Sequence, residues 1–581
     1  MIGRVTVAIA AVLLCSAAPA RAQDAERRQK LAAALPEIER ALTTWAEGVH
    51  APGAAMGIVM DGELVWINAS GVADVTGRAA VTPDTLFRIA SMTKSFTALA
   101  ILKLRDQGKL SLDDAVARHV PELEGLKYPT RDSPKLTIRH LLTHSEGFPE
   151  DNPWGDRQLA RDQPTMSSWM GAGIPFSTVP GTAYEYSNYG FAILGQIVER
   201  VSKRPYDRYV TEEVLRPLGM RDSTFEGASL PAERIARGYR WEDDTWKPEP
   251  ALAHGTFGAM GGLWTSTRDL ARYVAFHLDA WPPRDSDEAG PVKRSSVREM
   301  HQAARWQPVR ATRAAVDRPL ELNAAAYGYG LRISQTCRFR HVVSHGGGLP
   351  GYGSLMMWLP EHGVGLIGMA NVTYAGWSGV FNAALAAMAA AGALQPRPVQ
   401  PSAALLQAKA DVSQLIVSWD DRLAERVAAD NLFLDETAAR RAARSRELAG
   451  VHGTCRAEAA IDAENALRGA WRMTCDRGRI DVSITLAPTE PPRVQFLGVT
   501  SILPPGPAMR AALESAAPRI AADAAAWGAC RIGEEVGGDG VRQSAVRLNC
   551  ERGDLIARAT LDNRGRLTSL TLVPAGGACV P

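Results

Sequence analysis

The chain has 581 residues, is 46% hydrophobic and 22% charged, and carries a net charge of +2. That is ordinary globular composition with ample material for large cores. A balance so close to neutrality argues against nucleic acid or an anionic membrane surface as a partner.

Residues 1–22 read as an export signal. Arg4 supplies the positive end, VTVAIAAVLL a short apolar core, and ARA (20–22) a small-residue cleavage site, so the mature chain is expected to start at Gln23. The apolar run is too short to span a bilayer, and Leu14 precedes Cys15 where a lipid-attachment motif wants a small residue. The expected location is periplasmic or secreted, with no membrane span after processing.

TPDTLFRIAS reads as an extended entry to a helix, SFTALAILKLRDQGK, ending near Gly108. Ser91 then stands at or just before the helix start, with Lys94 three residues on. Residues three apart share a helix face, so the amine can reach the hydroxyl. A serine is a weak nucleophile until a neighbour takes its proton, and a buried amine of lowered pKa can do so. S-x-x-K alone is common by chance, and the bland alternative is a surface lysine after a capping serine.

In GTAYEYSNYGFAILGQIVERV (181–201), Phe191, Leu194, Ile197, Val198 and Val201 keep helical spacing. Tyr186, Ser187 and Asn188 therefore occupy the loop entering that helix. The bland reading makes Asn188 the N-cap and Tyr186 a core aromatic; the sharper one puts a phenol and an amide beside the nucleophile. VVSHGGGLPGYGSLMMWLPEHGVGLIGMAN (342–371) reads as a hairpin in which His345 precedes three glycines that allow close backbone approach. Gly346–Gly351 formally matches G-x-G-x-x-G, but a strand rather than a helix follows, so a dinucleotide site is rejected. ALAAMAAAGAL reads as a short packed helix.

LQPRPVQPS (394–402) has linker composition. The expected division is a domain at 23–395, a linker at 396–402 and a second domain at 403–581. The second domain repeats itself: GTCR (453–456) matches GACR (528–531), and CDRGRIDVSITL (475–486) matches CERGDLIARATL (550–561), both at an offset of 75. Each repeat is read as a helix followed by antiparallel strands, with period-two alternation after its second cysteine. Six cysteines remain after the signal, an even number in an exported chain. Equal spacing within each repeat suggests the pairs Cys455–Cys475 and Cys530–Cys550, with Cys337 and Cys579 left to pair or stay free.

FRIASMTKSFTALAILKLRDQGKLSLDD, LTIRHLLTHSEGF, GTAYEYSNYGFAILGQIVE, PLGMRDSTF, GGLWTSTRDLARY and SHGGGLPGY occur in that order. Together they resemble the serine β-lactamase-related and penicillin-binding-protein family, nearest to class C β-lactamases, family VIII-like esterases and D-aminopeptidase or D,D-carboxypeptidase relatives. The resemblance covers residues 35–395 and does not extend to 403–581. It implies an α/β fold, an antiparallel sheet flanked by helices plus a helical region, here followed by the smaller α+β two-repeat domain. It also implies that Ser91 is the acylated nucleophile, Lys94 its proton acceptor, and Tyr186 the shuttle to the leaving group and later to water. Asn188 would orient Lys94 and the acyl chain, and the backbone N–H groups of Ser91 and Gly348 would form the oxyanion hole. One departure stands out: many members carry Lys-Thr-Gly or Lys-Ser-Gly where this chain has His345-Gly346-Gly347, similar to the His-x-Gly form. A β-lactam or D-Ala-D-Ala carboxylate then lacks its expected cation unless His345 is protonated or another cation substitutes. The expectation is an exported serine hydrolase of ester or amide substrates, including D-amino-acid peptides. The alternatives are a β-lactamase or a penicillin-binding sensor that acylates without turnover. No G-x-S-x-G, H-E-x-x-H, Walker loop or C-x-x-C is present, the cysteines lack zinc spacing, and neither cofactor nor metal is expected.

Overall fold

The computed structural model describes residues 17–575 except 153, 228–229, 251, 313–320 and 552. The chain forms two compact units, one holding residues to 311 and 321–397, the other the chain from 398. In the first unit, helix α1 (Ala17–Gly48) leads into strands β1 (Gly53–Met60) and β2 (Glu63–Gly71). The expected signal cleavage position lies within α1. Helices α2 (Thr93–Asp106), α3 (Asn188–Ser202) and α4 (Thr267–Asp279) follow. Then come strands β3 (Glu321–Tyr327), β4 (Arg332–Thr336), β5 (Val342–Leu349), β6 (Tyr352–Leu359) and β7 (Val364–Ala370), and helix α5 (Ser378–Ala390).

These strands make one antiparallel sheet in the order β2–β1–β7–β6–β5–β4–β3. Every residue of β1 is buried, because helices cover both faces of the sheet. Strand alternation sends Ala55 and Val59 into a core shared with α2, α3 and α4. It sends Ala54, Met56, Ile58 and Met60 into a second core with α1 and α5. On α1, Leu31, Ala34, Ile38 and Leu42 supply the matching stripe at helical spacing. The β5–β6 hairpin turns through Gly351, whose φ of +87° suits a residue without a Cβ.

In the second unit, helices α6 (Ala403–Val417) and α7 (Ala438–His452) precede strands β8 (Cys455–Ala457), β9 (Arg468–Cys475), β10 (Arg479–Leu486) and β11 (Val494–Ile502). Helix α8 (Pro507–Asp523) then precedes β12 (Cys530–Gly537), β13 (Gln543–Cys550), β14 (Leu555–Leu561) and β15 (Leu567–Pro574). Each set of four strands is an antiparallel meander within its own sheet. The period-two runs bury alternate residues: Ile480, Val482, Ile484 and Leu486 in one sheet, Leu555, Ala557, Ala559 and Leu561 in the other. Cys455 bonds Cys475 and Cys530 bonds Cys550, each directly across an antiparallel pair. The suggested partner of Cys337, Cys579, lies outside the described residues. Among the described residues no helix is long and apolar enough to cross a membrane.

Candidate active site

Ser91 lies in a 3-10 turn, Ala90–Met92, that runs straight into α2. Ala90 has a φ of +50°, a left-handed conformation that costs a residue with a Cβ about 1–3 kcal/mol. The turn is held by its surroundings: the Ile89 N–H donates to Leu263 O at 3.0 Å, and Ser354 Oγ donates to Ile89 O at 3.0 Å. Lys94 sits one residue inside α2, fully buried. Its Nζ donates to Ser91 Oγ at 3.1 Å, Asn188 Oδ1 at 2.7 Å and Met260 O at 3.0 Å. Burial lowers its pKa to about 7, against the opposing pull of Asp156, Asp151 and Glu150. The bland reading of a surface lysine is thus excluded.

The start of α3 differs from the bland expectation. Ser187, not Asn188, is the N-cap, its Oγ accepting from Gly190 N at 3.1 Å. A serine oxygen in that place leaves Asn188 as the first helical residue with its amide free to reach Lys94. The Asp151 carboxylate caps the same end, accepting from the backbone N–H of Asn188 at 2.7 Å and of Tyr189 at 2.8 Å. Asn188 Nδ2 donates to Asn152 Oδ1 at 2.6 Å, so both ends of the amide are committed. Tyr186 is buried with its ring 4.8 Å from Lys94 Nζ. Burial pushes its phenol well above the usual range, with the Ser91 hydroxyl opposing. The phenol therefore keeps its proton at neutral pH.

On β5, His345 is buried. Its Nδ1 lies 2.6 Å from Gly346 O and its Nε2 2.8 Å from the Tyr327 hydroxyl. A carbonyl can only accept, so Nδ1 carries the hydrogen and Nε2 accepts from Tyr327. Burial lowers the His345 pKa to about 3, helped by the charges of Lys94 and Arg332. The ring is neutral and does not replace a lysine. Gly347 pairs with Ser354 in the β5–β6 ladder, and a Cβ on it would overlap Ile89 O and Ser354 Oγ. The strand thereby approaches the Ser91 turn closely. A Cβ on Gly348 would fall 2.7 Å from Tyr374 Cδ1.

The three motifs thus converge. The residues around them were not foreseen. Asp151 and Asn152 come from an irregular loop, Asp156 from a 3-10 turn, Gly155–Arg157, Tyr374 from the segment after β7, and Met260 from a short helix, Gly258–Gly261. None carries a periodic or motif signal. Arg332 on β4 stands opposite Ser344 and Tyr327. It is exposed, yet its charge is felt by Tyr184, Tyr186, Tyr327, His144 and His345. Among the described residues its guanidinium has no hydrogen-bond or ion-pair partner. No cluster of His, Cys, Asp and Glu among them could hold a metal ion.

Protein flp of Staphylococcus aureus is 30% identical over 330 residues, covering 56% of this chain and 60% of flp. The chain thus spans about 60% of the length of that relative. Penicillin-binding protein 4* of Bacillus subtilis is 26% identical over 328 residues, covering 53% of this chain and 66% of its own length. The solved octameric penicillin-binding protein homologue from Pyrococcus abyssi shares the fold at 20% identity and a TM-score of 0.51, covering 94% of this chain and 99% of that one. The Beta-lactamase family model matches residues 38–391, more than half of the chain and all three motifs, so the protein belongs to the Beta-lactamase family.

Proposed function

We propose that the protein is an exported serine hydrolase, periplasmic or secreted, that works through an acyl-enzyme on ester or amide substrates. The observation that carries this reading is the buried Lys94 amine, 3.1 Å from Ser91 Oγ, with a pKa brought to about 7. Neutral Lys94 takes the hydroxyl proton as Ser91 attacks the substrate carbonyl. The backbone N–H groups of Ser91 and Gly348 hold the developing oxyanion; losing one such donor typically costs about 10²–10³ in rate. Tyr186, still protonated, gives its proton to the leaving alcohol or amine and receives it back from the water that cleaves the acyl-enzyme. Asn188 holds Lys94 in line, and neutral His345 fixes β5 through Tyr327. The two disulfides support export.

Within this class, Arg332 favours substrates with a carboxylate near the scissile bond, including D-amino-acid peptides, because an unpaired guanidinium beside the site supplies the cation that His345 does not. The test is turnover of p-nitrophenyl butyrate and of D-alanyl peptides with free or amidated C-termini. Ser91→Ala abolishes all turnover. Arg332→Ala raises KM about tenfold or more for the free carboxylate alone. A burst of one equivalent without turnover would instead mark a protein that acylates and stops, and rapid nitrocefin hydrolysis would mark a β-lactamase.

A further inference from the structure

His144 is wholly buried beside the site and takes no part in the chemistry proposed for Ser91, Lys94 and Tyr186. It stands just past a short helix, Ile138–Leu142, with a φ of +51°. That left-handed conformation is uncommon outside glycine, so the surrounding chain must hold it. The next residue is pinned from two directions: Ser145 N donates to His140 O at 3.0 Å, and Ser145 O accepts from Gly181 N at 2.7 Å. Burial pushes the imidazole well below its usual pKa, and the Lys94 charge adds to this. Nε2 has no hydrogen-bond partner among the described residues. An apolar side chain would fill the same space without leaving a polar nitrogen unbonded. The other nitrogen supplies the reason for a histidine.

Nδ1 accepts from Ser187 N at 3.1 Å, and the His144 carbonyl accepts from Glu185 N at 2.9 Å. The two residues held in this way are the neighbours of Tyr186. Residues 184–187 belong to no helix or strand, so no regular ladder fixes the tyrosine between them. A backbone N–H can only donate, so Nδ1 carries no hydrogen and the neutral ring keeps its one hydrogen on Nε2. Glu146 Oε1, 3.9 Å from Nδ1, is too far to compete for that nitrogen. The imidazole also packs on the Tyr186 ring at 4.3 Å between centroids. On Tyr327, the partner of His345, it packs at 4.5 Å.

We propose that His144 is a positioning residue for Tyr186: its carbonyl and its Nδ1 hold the N–H groups on either side of the tyrosine and so aim the phenol at the leaving atom beside Ser91. The inference rests on the acyl-enzyme reading above, in which Tyr186 protonates the leaving group, and adds the residue that aims it. As the acyl carbon–oxygen bond breaks, its electron pair goes to the departing oxygen and the Tyr186 proton follows. p-Nitrophenolate is a stable anion and needs that proton little; phenolate is more basic and needs it more. A misplacement of about 1 Å can cost about 10²-fold in rate.

The test is kcat/KM, which reads acylation alone, for p-nitrophenyl butyrate and phenyl butyrate. His144→Leu is expected to lower the phenyl ester about tenfold more than the p-nitrophenyl ester, as is Tyr186→Phe. His144→Gln, whose amide reaches past the Nδ1 position, should do the same, and it keeps the test open if the leucine variant fails to fold. His144→Asn should return the ratio of the two esters to within about threefold of wild type, because its amide oxygen stands at the Nδ1 position and asparagine tolerates the left-handed φ. Equal losses on both esters in the leucine and glutamine variants would mark a structural residue and overturn the inference, as would an asparagine variant no better than glutamine. Equal losses in Tyr186→Phe would take the shuttle role from Tyr186, and the positioning role from His144 with it, while Ser91 and Lys94 keep theirs. No turnover of either ester, with Ser91 unlabelled by a fluorophosphonate, would overturn the hydrolase reading itself.

Discussion

Lys94 has three oxygen acceptors, Ser91 Oγ, Asn188 Oδ1 and Met260 O, and the Met260 sulfur at 3.9 Å, with no anion in hydrogen-bond contact. Neutral acceptors stabilise an ammonium less than a carboxylate would, so burial dominates and the pKa falls to about 7. The sign for activity follows. Below that pH Lys94 is charged and cannot accept a proton; above it the amine is neutral and can. The log of kcat/KM is therefore expected to rise with pH up to about 7 and to level off above it. Tyr186, held protonated, adds no second limb in the neutral range. Lys94→Arg, which keeps a charge but offers no base, should lower kcat by about 10²–10⁴ and remove the limb. A limb that persists in that variant would assign the titration to another group. This part of the site was legible because a serine, a lysine and their spacing lie within four residues of chain. Asp156, the strongest charge acting on Lys94, was not legible, because it enters from a turn more than fifty residues away.

Helix α3 shows what local pattern can and cannot say. Its apolar spacing places the start near Asn188, and the helix begins there. What holds that start is nonlocal: Asp151 on its first N–H groups, and His144, whose Nδ1 accepts from Ser187 N at 3.1 Å. Beside them Glu146 is wholly buried, and neither carboxyl oxygen makes a hydrogen bond to another side chain among the described residues. A Cβ on Gly190 would overlap its Oε1, so the glycine makes room for the carboxyl against α3. Glu146 Oε1 lies 3.9 Å from His144 Nδ1, within ion-pair reach. Burial nevertheless pushes the carboxyl well above and the imidazole well below their usual pKa values, each toward its neutral form and against an ion pair. A carboxyl whose folded pKa lies above its unfolded value of 4.5 binds its proton more tightly in the native state. Stability is then undiminished below about pH 4.5 and falls as pH rises above it. Glu146→Gln should leave stability unchanged at pH 4 and raise it at pH 8 by about 1–3 kcal/mol, the scale of a buried polar group left unsatisfied. Urea unfolding at the two pH values checks this; an equal change at both would mean that the proton plays no part.

At the scale of the molecule, the sheet order of the first unit and the repeats of the second were unequally legible. Nothing in GAAMGIVM says that β1 inserts between β2 and the last strand, β7, because that pairing joins residues some three hundred apart and only the finished core selects it. The repeats were legible because duplication copies spacing: two cysteines twenty apart, twice, each pair directly opposed across neighbouring strands. That geometry makes a further expectation specific to the second unit. Its cores are separate from those of the first unit, and every residue of the candidate site belongs to the first unit. Cross-linking two cysteines twenty residues apart restricts the unfolded chain by roughly 3 kcal/mol for each bond. All four cysteines are half-buried rather than enclosed, so a reductant can reach them. Reduction should then lower the unfolding temperature of the second unit by several degrees and that of the first, which holds neither of these two bonds, by less, separating one calorimetric transition into two or widening an existing gap. Hydrolysis by Ser91 should survive the same treatment, since both cysteine pairs lie in the second unit and the candidate site in the first. Loss of activity in parallel with reduction would mean that the repeats support the site itself, and the second unit would then have to be counted as part of the enzyme.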